Sequence, residues 1–293
     1  SLPCLPKTAW PPTFPGLAEG DVYKALKVNK NCNVVVVGAG TAGMEAACTA
    51  AEVGCNVFVL EKNDHIGGLS TFISDLPSKS RMKDFPKYLE ARAARLKNLY
   101  VFLNTEATVD KIKQFKPDIV VNATGSVPLV PPIKGMDGEQ VVVVNELYRN
   151  LDKISDKVVV MGGGLAGCEC AISLGMEGKE VQLVEMRDAL APDANVRHRP
   201  LLLKEIEKQV KAVHTGYRAE EITPEGVWCT DANGERHLVE GTTVICALGQ
   251  RARTDVVEQL RNTAPFVRVI GDARRVSTIT NAVYQGYHAA LDI

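Results

Sequence analysis

The chain has 293 residues, enough at roughly 150 per domain for two domains. Lys plus Arg number 34 against 35 Asp plus Glu, so no bulk positive charge marks a polyanion binder. Apolar residues at 45% and charged residues at 24% describe a globular chain with a real core and exclude extensive disorder. Aromatics at 5% leave few base-stacking platforms, whereas 24 glycines supply many tight turns.

Residues 1–30 open with five prolines (Pro3, Pro6, Pro11, Pro12 and Pro15) and are read as an extended connector. No charged, apolar and small-residue order of a secretory signal begins the chain. The longest weakly charged run, 33–60, holds Glu45, Glu52 and four glycines, so no membrane span is expected. The eight cysteines (Cys4, Cys32, Cys48, Cys55, Cys168, Cys170, Cys229 and Cys246) form no C-x-x-C pair and match no metal-ligand spacing. Reduced, mostly buried thiols of a cytoplasmic protein are expected.

From residue 33 onward, apolar strand runs alternate with longer helical patterns. That order predicts an α/β fold with parallel sheets covered by helices. The strongest feature is a repeat. Asn33-Val-Val-Val-Val-Gly-Ala-Gly-Thr-Ala-Gly43 returns as Lys157-Val-Val-Val-Met-Gly-Gly-Gly-Leu-Ala-Gly167. A small-residue helix follows each copy, then a second apolar strand, 56–60 or 180–184.

Each copy contains G-x-G-x-x-G. Gly38 permits the turn off the strand, Gly40 lets a pyrophosphate approach the backbone, and Gly43 lets the helix sit close on the sheet. The helix that follows aims free N–H groups and its positive dipole end at the phosphates. Glu61 stands twenty-three residues past Gly38, at the end of the second strand, where a carboxylate accepts hydrogen bonds from ribose hydroxyls. Gly162, Gly164, Gly167 and Glu185 repeat this set at the same spacing. One such motif can be purely architectural; two at identical spacing point to two dinucleotides. The acids favour NAD over NADP at a nicotinamide site. Arg187, two residues past Glu185, either softens that preference, leaving NADPH open, or is a solvated surface charge.

After Glu61 comes His65-Ile-Gly-Gly-Leu69, whose Gly67 and Gly68 suit a loop touching an extended dinucleotide. With this segment the chain resembles flavoproteins built from two dinucleotide-binding domains. The resemblance implies FAD in the first site and NADH in the second. Ile119-Val-Val-Asn-Ala-Thr-Gly125 and Thr243-Val-Ile-Cys-Ala-Leu-Gly249 look like the two crossovers, ending at Gly125 and Gly249. Val267-Arg-Val-Ile-Gly-Asp272 is similar to the last FAD motif, implying that Gly271 and Asp272 meet the ribityl chain; a plain turn or N-cap acid is the other reading of Asp272. The implied architecture is two doubly wound Rossmann-like domains. An FAD domain at 31–126 and 250–293 is split by an inserted NAD(P)H domain at 127–249. Val127-Pro-Leu-Val-Pro-Pro-Ile-Lys134 serves as one of two connectors.

Hydride transfer requires the nicotinamide C4 within about 3–3.5 Å of flavin N5. The redox atoms belong to the cofactors, so no general acid, base or metal ligand is nominated. His65, His198, His214, His237 and His288 are scattered singly and are read as surface or core residues. The segment after Gly68, Leu-Ser-Thr-Phe-Ile-Ser, lacks the cysteines of a disulfide reductase.

A narrower match rests on Glu61-Lys-Asn-Asp-His-Ile-Gly-Gly-Leu69, Ala123-Thr-Gly-Ser-Val-Pro128, Cys246-Ala-Leu-Gly-Gln-Arg-Ala-Arg-Thr-Asp255 and the Gly271-Asp272 ending. These resemble the C-terminal half of 2-enoate reductases, 2,4-dienoyl-CoA reductases and trimethylamine-dehydrogenase-like proteins of the old yellow enzyme group. In that family an FMN-bearing barrel and a four-cysteine iron–sulfur segment precede this region. The resemblance therefore implies an electron-input module: NADH reduces FAD, which passes electrons to an FMN/iron–sulfur partner or portion, ending in reduction of an activated C=C bond. Two other readings stay open on sequence alone, a non-catalytic nucleotide-binding or interaction module and a self-contained diaphorase or quinone reductase.

Overall fold

A computed structural model describes residues 31–293. The expected connector at 1–30, with Cys4, lies outside the described residues. The chain divides into two compact units, one running up to Gly67 and continuing through Lys87–Thr124 and Thr254–Ile293, the other Gly68–Pro86 with Gly125–Arg253.

The strands in chain order are β1 (Asn33–Val37), β2 (Asn56–Leu60), β3 (Leu99–Phe102), β4 (Ile119–Asn122), β5 (Ser126–Pro128), β6 (Val141–Val143), β7 (Lys157–Met161) and β8 (Glu180–Glu185). They continue as β9 (Ala212–Thr215), β10 (Arg218–Thr223), β11 (Gly226–Thr230), β12 (Arg236–Glu240), β13 (Thr243–Cys246), β14 (Gln250–Ala252) and β15 (Phe266–Val269). The α-helices are α1 (Thr41–Glu52), α2 (Leu69–Ile73), α3 (Asp84–Ala93), α4 (Val109–Gln114), α5 (Leu165–Met176), α6 (Arg199–Gln209), α7 (Thr254–Gln259) and α8 (Ile279–Leu291).

In the first unit five parallel strands lie in the order β15-β4-β1-β2-β3. β1 is central, and Val34, Val35 and Val36 have no exposed surface, as expected of a strand covered on both faces. One face packs Val35, Val37, Leu60 and Val120 against Ile112 and Leu260, with Phe58 and Phe115 alongside. α1 is buried from Ala42 to Ala51 and packs against α8, where its small residues permit a close approach. Gly286 of α8 sits where a Cβ would meet the Ala42 carbonyl at 2.5 Å.

α1 also carries charge inward. Glu45 is 6% exposed, and Arg92 of α3 donates to its Oε1 at 2.9 Å. The same guanidinium holds both Glu52 oxygens, at 2.8 and 2.7 Å, and donates to Thr49 Oγ1 at 3.2 Å. These bonds hold the Arg92 pKa above the ordinary guanidinium range.

The second unit repeats the plan with β6-β13-β7-β8-β9, again parallel around a buried central strand. α5 and α6 cover one face, packing Cys168, Leu174, Leu202 and Ile206 on Val158, Val160 and Leu183. The opposite face is covered by an antiparallel sheet β10-β11-β12, through Ile222, Val227, Cys229 and Val239 on Val159, Met161 and Val184. That sheet was not among the expected elements, although Asp231-Ala-Asn-Gly234 between two alternating runs is a hairpin signal. The proline connector forms a short ribbon, β5 antiparallel to β14, with Arg251 opposite Val127.

Replacing Arg92 by Met should leave Glu45 buried without its cation and destabilise the protein by about 3 kcal/mol, read by urea denaturation. Arg92→Lys should recover only part of that loss, because a point charge cannot span both glutamates.

Candidate functional site

The two repeats fold into two nearly identical cradles, one per unit. In the first, β1 ends at Gly38, whose φ of +99° suits glycine and whose N–H donates to Leu60 O at 2.9 Å. A Cβ there would meet the Ala123 carbonyl at 2.5 Å, and one on Gly43 would strike the Gly38 carbonyl. In the second, Gly162 has φ +108° and a Cβ on it would strike the Ala247 carbonyl, as one on Gly167 would strike the Gly162 carbonyl. The first and third glycines of each motif are thus required by the protein's own packing.

The middle glycine differs. Around Gly164 nothing lies within 4 Å of where a Cβ would stand, so its side-chain space is open. Gly40 and Gly164 occupy the N-caps of α1 and α5 with extended backbone and no side-chain cap. The first-turn N–H groups of both helices therefore have no side-chain partner at the cap, the setting that suits a phosphate.

Each acid is tied into its turn. Glu61 is 6% exposed and accepts from Ala39 N at 2.7 Å and Asn63 N at 2.8 Å, one bond per carboxylate oxygen. Glu185 is 5% exposed and accepts from Gly163 N at 2.7 Å and Arg187 N at 2.8 Å. Both Glu61 oxygens and Glu185 Oε2 accept one bond each and keep a second lone pair for a further donor. Arg187 folds back, its Nε 3.3 Å from Glu185 Oε1 and its Nη1 3.4 Å from Asp193. The Glu185 hydrogen bond raises its pKa above the usual guanidinium range.

A second loop crosses each turn. Gly67 N donates to Ala39 O at 2.9 Å and pairs with Gly40. Ala191 N donates to Gly163 O at 2.7 Å, and Ala191 stands six residues past Glu185 as Gly67 stands six past Glu61. Ala191 was not singled out from the sequence; its φ of +42° replaces the glycine that would have advertised the position.

Glu45 and Glu169 were also missed. Both lie seven residues past the first glycine of their copies, so aligning the repeats would have found them. Where Glu45 meets Arg92, Glu169 meets Lys79, with Nζ 2.6 Å from Oε1 and Glu169 only 11% exposed.

Of the remaining expected residues, Gly271 reaches the first cradle, since a Cβ on it would lie 2.8 Å from Ala42 Cβ. Gly271 N donates to Gln285 Oε1 at 2.9 Å, and Asp272 Oδ1 accepts from Ser277 N at 3.1 Å. Asn122 Nδ2, fully buried beside this turn, has no hydrogen-bond partner. Gly68 and Gly125 belong to the stretches grouped with the second unit. Gly125 and Gly249 have φ +74° and +96°, with nothing within 4 Å of a Cβ on either. Of the histidines, His237 is drawn to Asp231 and Glu235, with ligand atoms within 4.8 Å of one another. Asp231 Oδ1 also accepts from Asn233 N and Glu235 N, so the group closes the β11–β12 hairpin.

The profile of the pyridine nucleotide-disulphide oxidoreductase family matches residues 78–286. The chain belongs to that family. A second profile, FAD dependent oxidoreductase, matches residues 33–91. The NADH oxidase of Thermoanaerobacter brockii is 37% identical over 93% of this chain and 42% of its own length. The cinnamate reductase of Clostridium sporogenes is 33% identical over 92% and 41%. Among solved structures, a 2-naphthoyl-CoA reductase in complex with 2-naphthoyl-CoA superposes with a TM-score of 0.83 at 32% identity, covering 92% of this chain and 41% of that one. The chain thus spans about two fifths of the length of these relatives. It is an FAD-dependent oxidoreductase module whose cofactors are FAD and NAD(P)H. Two uncapped helix starts, two clamped acids and an open middle glycine are a donor set that fits two dinucleotides.

The steric contrast within one motif is testable by urea denaturation. Gly162→Ala should cost about 2 kcal/mol or more through its positive φ and backbone clash. Gly164→Ala should stay within about 0.5 kcal/mol of the parent.

Proposed function

We propose that this chain is an electron-input module, with FAD held at Gly38, Gly40, Gly43, Glu61, Gly67, Gly68, Gly125, Gly271 and Asp272. NAD(P)H is held at Gly162, Gly164, Gly167, Glu185 and Gly249. The observation that carries this reading is the duplicated cradle, in which each glycine turn is clamped by a buried acid twenty-three residues downstream. The FAD domain is proposed to span 31–126 and 250–293, and the NAD(P)H domain 127–249. When bound, FAD supplies hydride acceptance from the nicotinamide and onward delivery of electrons. The protein's part is to bind and orient. The uncapped starts of α1 and α5 receive the pyrophosphates, and the remaining lone pairs of the Glu61 oxygens and of Glu185 Oε2 receive ribose hydroxyls. Glu185 disfavours a 2′-phosphate, and Arg187 is engaged by Glu185 and Asp193, which supports NADH as the preferred donor.

The electrons then pass to an FMN/iron–sulfur partner or portion and reduce an activated C=C bond. Support comes from the cinnamate and 2-naphthoyl-CoA reductases, each matched over about two fifths of its length. No helix among the described residues is long and apolar enough to cross a membrane. Among the described residues seven cysteines carry thiols, six of them buried, which fits a reducing cytoplasm.

The purified protein should be yellow, and anaerobic NADH should bleach it more readily than NADPH. Glu61→Ala should lower FAD retention, while Glu185→Ala should keep FAD and raise KM for NADH about tenfold, the loss of one charge-assisted contact. A colourless protein that cannot be reconstituted with FAD would refute the module. Equal flavin loss in both variants would refute the assignment of the cradles. Rapid turnover with soluble quinones or dyes alone would replace onward transfer by a diaphorase activity.

A further inference from the structure

Cys32 and Cys55 immediately precede β1 and β2, whose first residues, Asn33 and Asn56, are register partners. Asn56 N donates to Cys32 O at 2.9 Å, so the pairing extends back to the cysteines. Adjacent strands run about 4.8 Å apart, inside the Cα separation that a disulfide spans. The thiols face each other, Cys32 Sγ donating to Cys55 Sγ at 2.9 Å. Cys32 is partly exposed and opens on a hollow lined by Asp118, Pro265, Phe266 and Ile293, whereas Cys55 is fully buried. The thiols of Cys48, Cys168, Cys229 and Cys246 point instead at backbone carbonyls of their own surroundings, none of them at a second sulfur in the bonds seen.

The pair lies at the start of β1, five residues of strand or about 17 Å from the glycine turn at its end. It is therefore remote from the first cradle.

We propose that Cys32 and Cys55 are a peroxide-oxidisable dithiol whose disulfide braces the first cradle. The Cys32 thiolate attacks one peroxide oxygen, the O–O bond breaks, and Cys32 becomes a sulfenic acid while hydroxide leaves and takes a proton. Cys55 sulfur then attacks the Cys32 sulfur and water departs. Two thiols and one hydrogen peroxide give one disulfide and two waters, and a dithiol reductant reverses the change. The closed loop contains β1, the glycine turn and all of α1, so the bond constrains the whole cradle in the unfolded chain. This holds whichever nucleotide the cradle carries.

The test treats the FAD-loaded protein with hydrogen peroxide, blocks free thiols with N-ethylmaleimide, and digests with a glutamate-specific protease. Cuts after Glu45 and Glu52 part Cys32, Cys48 and Cys55 into three peptides. The expected product joins the Cys32 and Cys55 peptides, leaves Cys48 alkylated and disappears after dithiothreitol. In Cys55→Ser, Cys32 should instead advance to sulfinic acid. The oxidised parent should melt higher than the reduced one, and Cys32→Ser should lose that difference. Separate alkylation of Cys32 and Cys55 after peroxide, a Cys32–Cys48 link, or unchanged melting on oxidation would each overturn the proposal.

Discussion

A buried carboxylate accepting two backbone N–H groups organises each half of this protein. Glu61 and Glu185 end the second strands of their sheets, and each reaches back to the residue after the first glycine. Burying a charged carboxylate is unfavourable unless hydrogen bonds replace its lost water, and here the main chain supplies them. Strand, turn and acid are consequently interdependent. The turn needs its first and third glycines because carbonyls of Ala123 or Ala247 and of the turn itself occupy the space a side chain would take.

Around this shared kernel the two units diverge in what covers their sheets. The first covers α1 with α8, an approach that depends on Gly286 and a run of alanines. The second covers one sheet face with the β10–β12 meander. The inward acids of α1 and α5, at the same offset in both copies, are neutralised differently. Arg92 bridges two glutamates and a threonine through its planar fork, whereas Lys79 pairs with Glu169 as a point charge. The repeat thus preserves what serves the turn and frees what surrounds it.

Much of this was legible in the residues. Strand Asn33–Val37, helix Thr41–Glu52, strand Asn56–Leu60 and their counterparts appear where the motif spacing set them, because glycine turns and apolar runs are local signals. What escaped was of two kinds. Ala191 carries no local signature, since its role depends on a loop brought back over Gly163 by the fold. Glu45, Glu169 and the β10–β12 meander did leave traces, an equal offset in both copies and an Asp-Ala-Asn-Gly turn. Partners such as Lys79, ninety positions from Glu169, are set by tertiary packing, which no local pattern encodes.

The small ribbon of β5 and β14 brings the two ends of one long stretch of chain together. Chain 125–253 enters and leaves through Ser126–Pro128 and Gln250–Ala252, held side by side. A segment whose two ends touch can be spliced into a single loop of a host without prising the host apart. For 125–253, the larger stretch of the second unit, the ribbon is the point where the chain closes on itself and where it could be cut and rejoined with least disturbance.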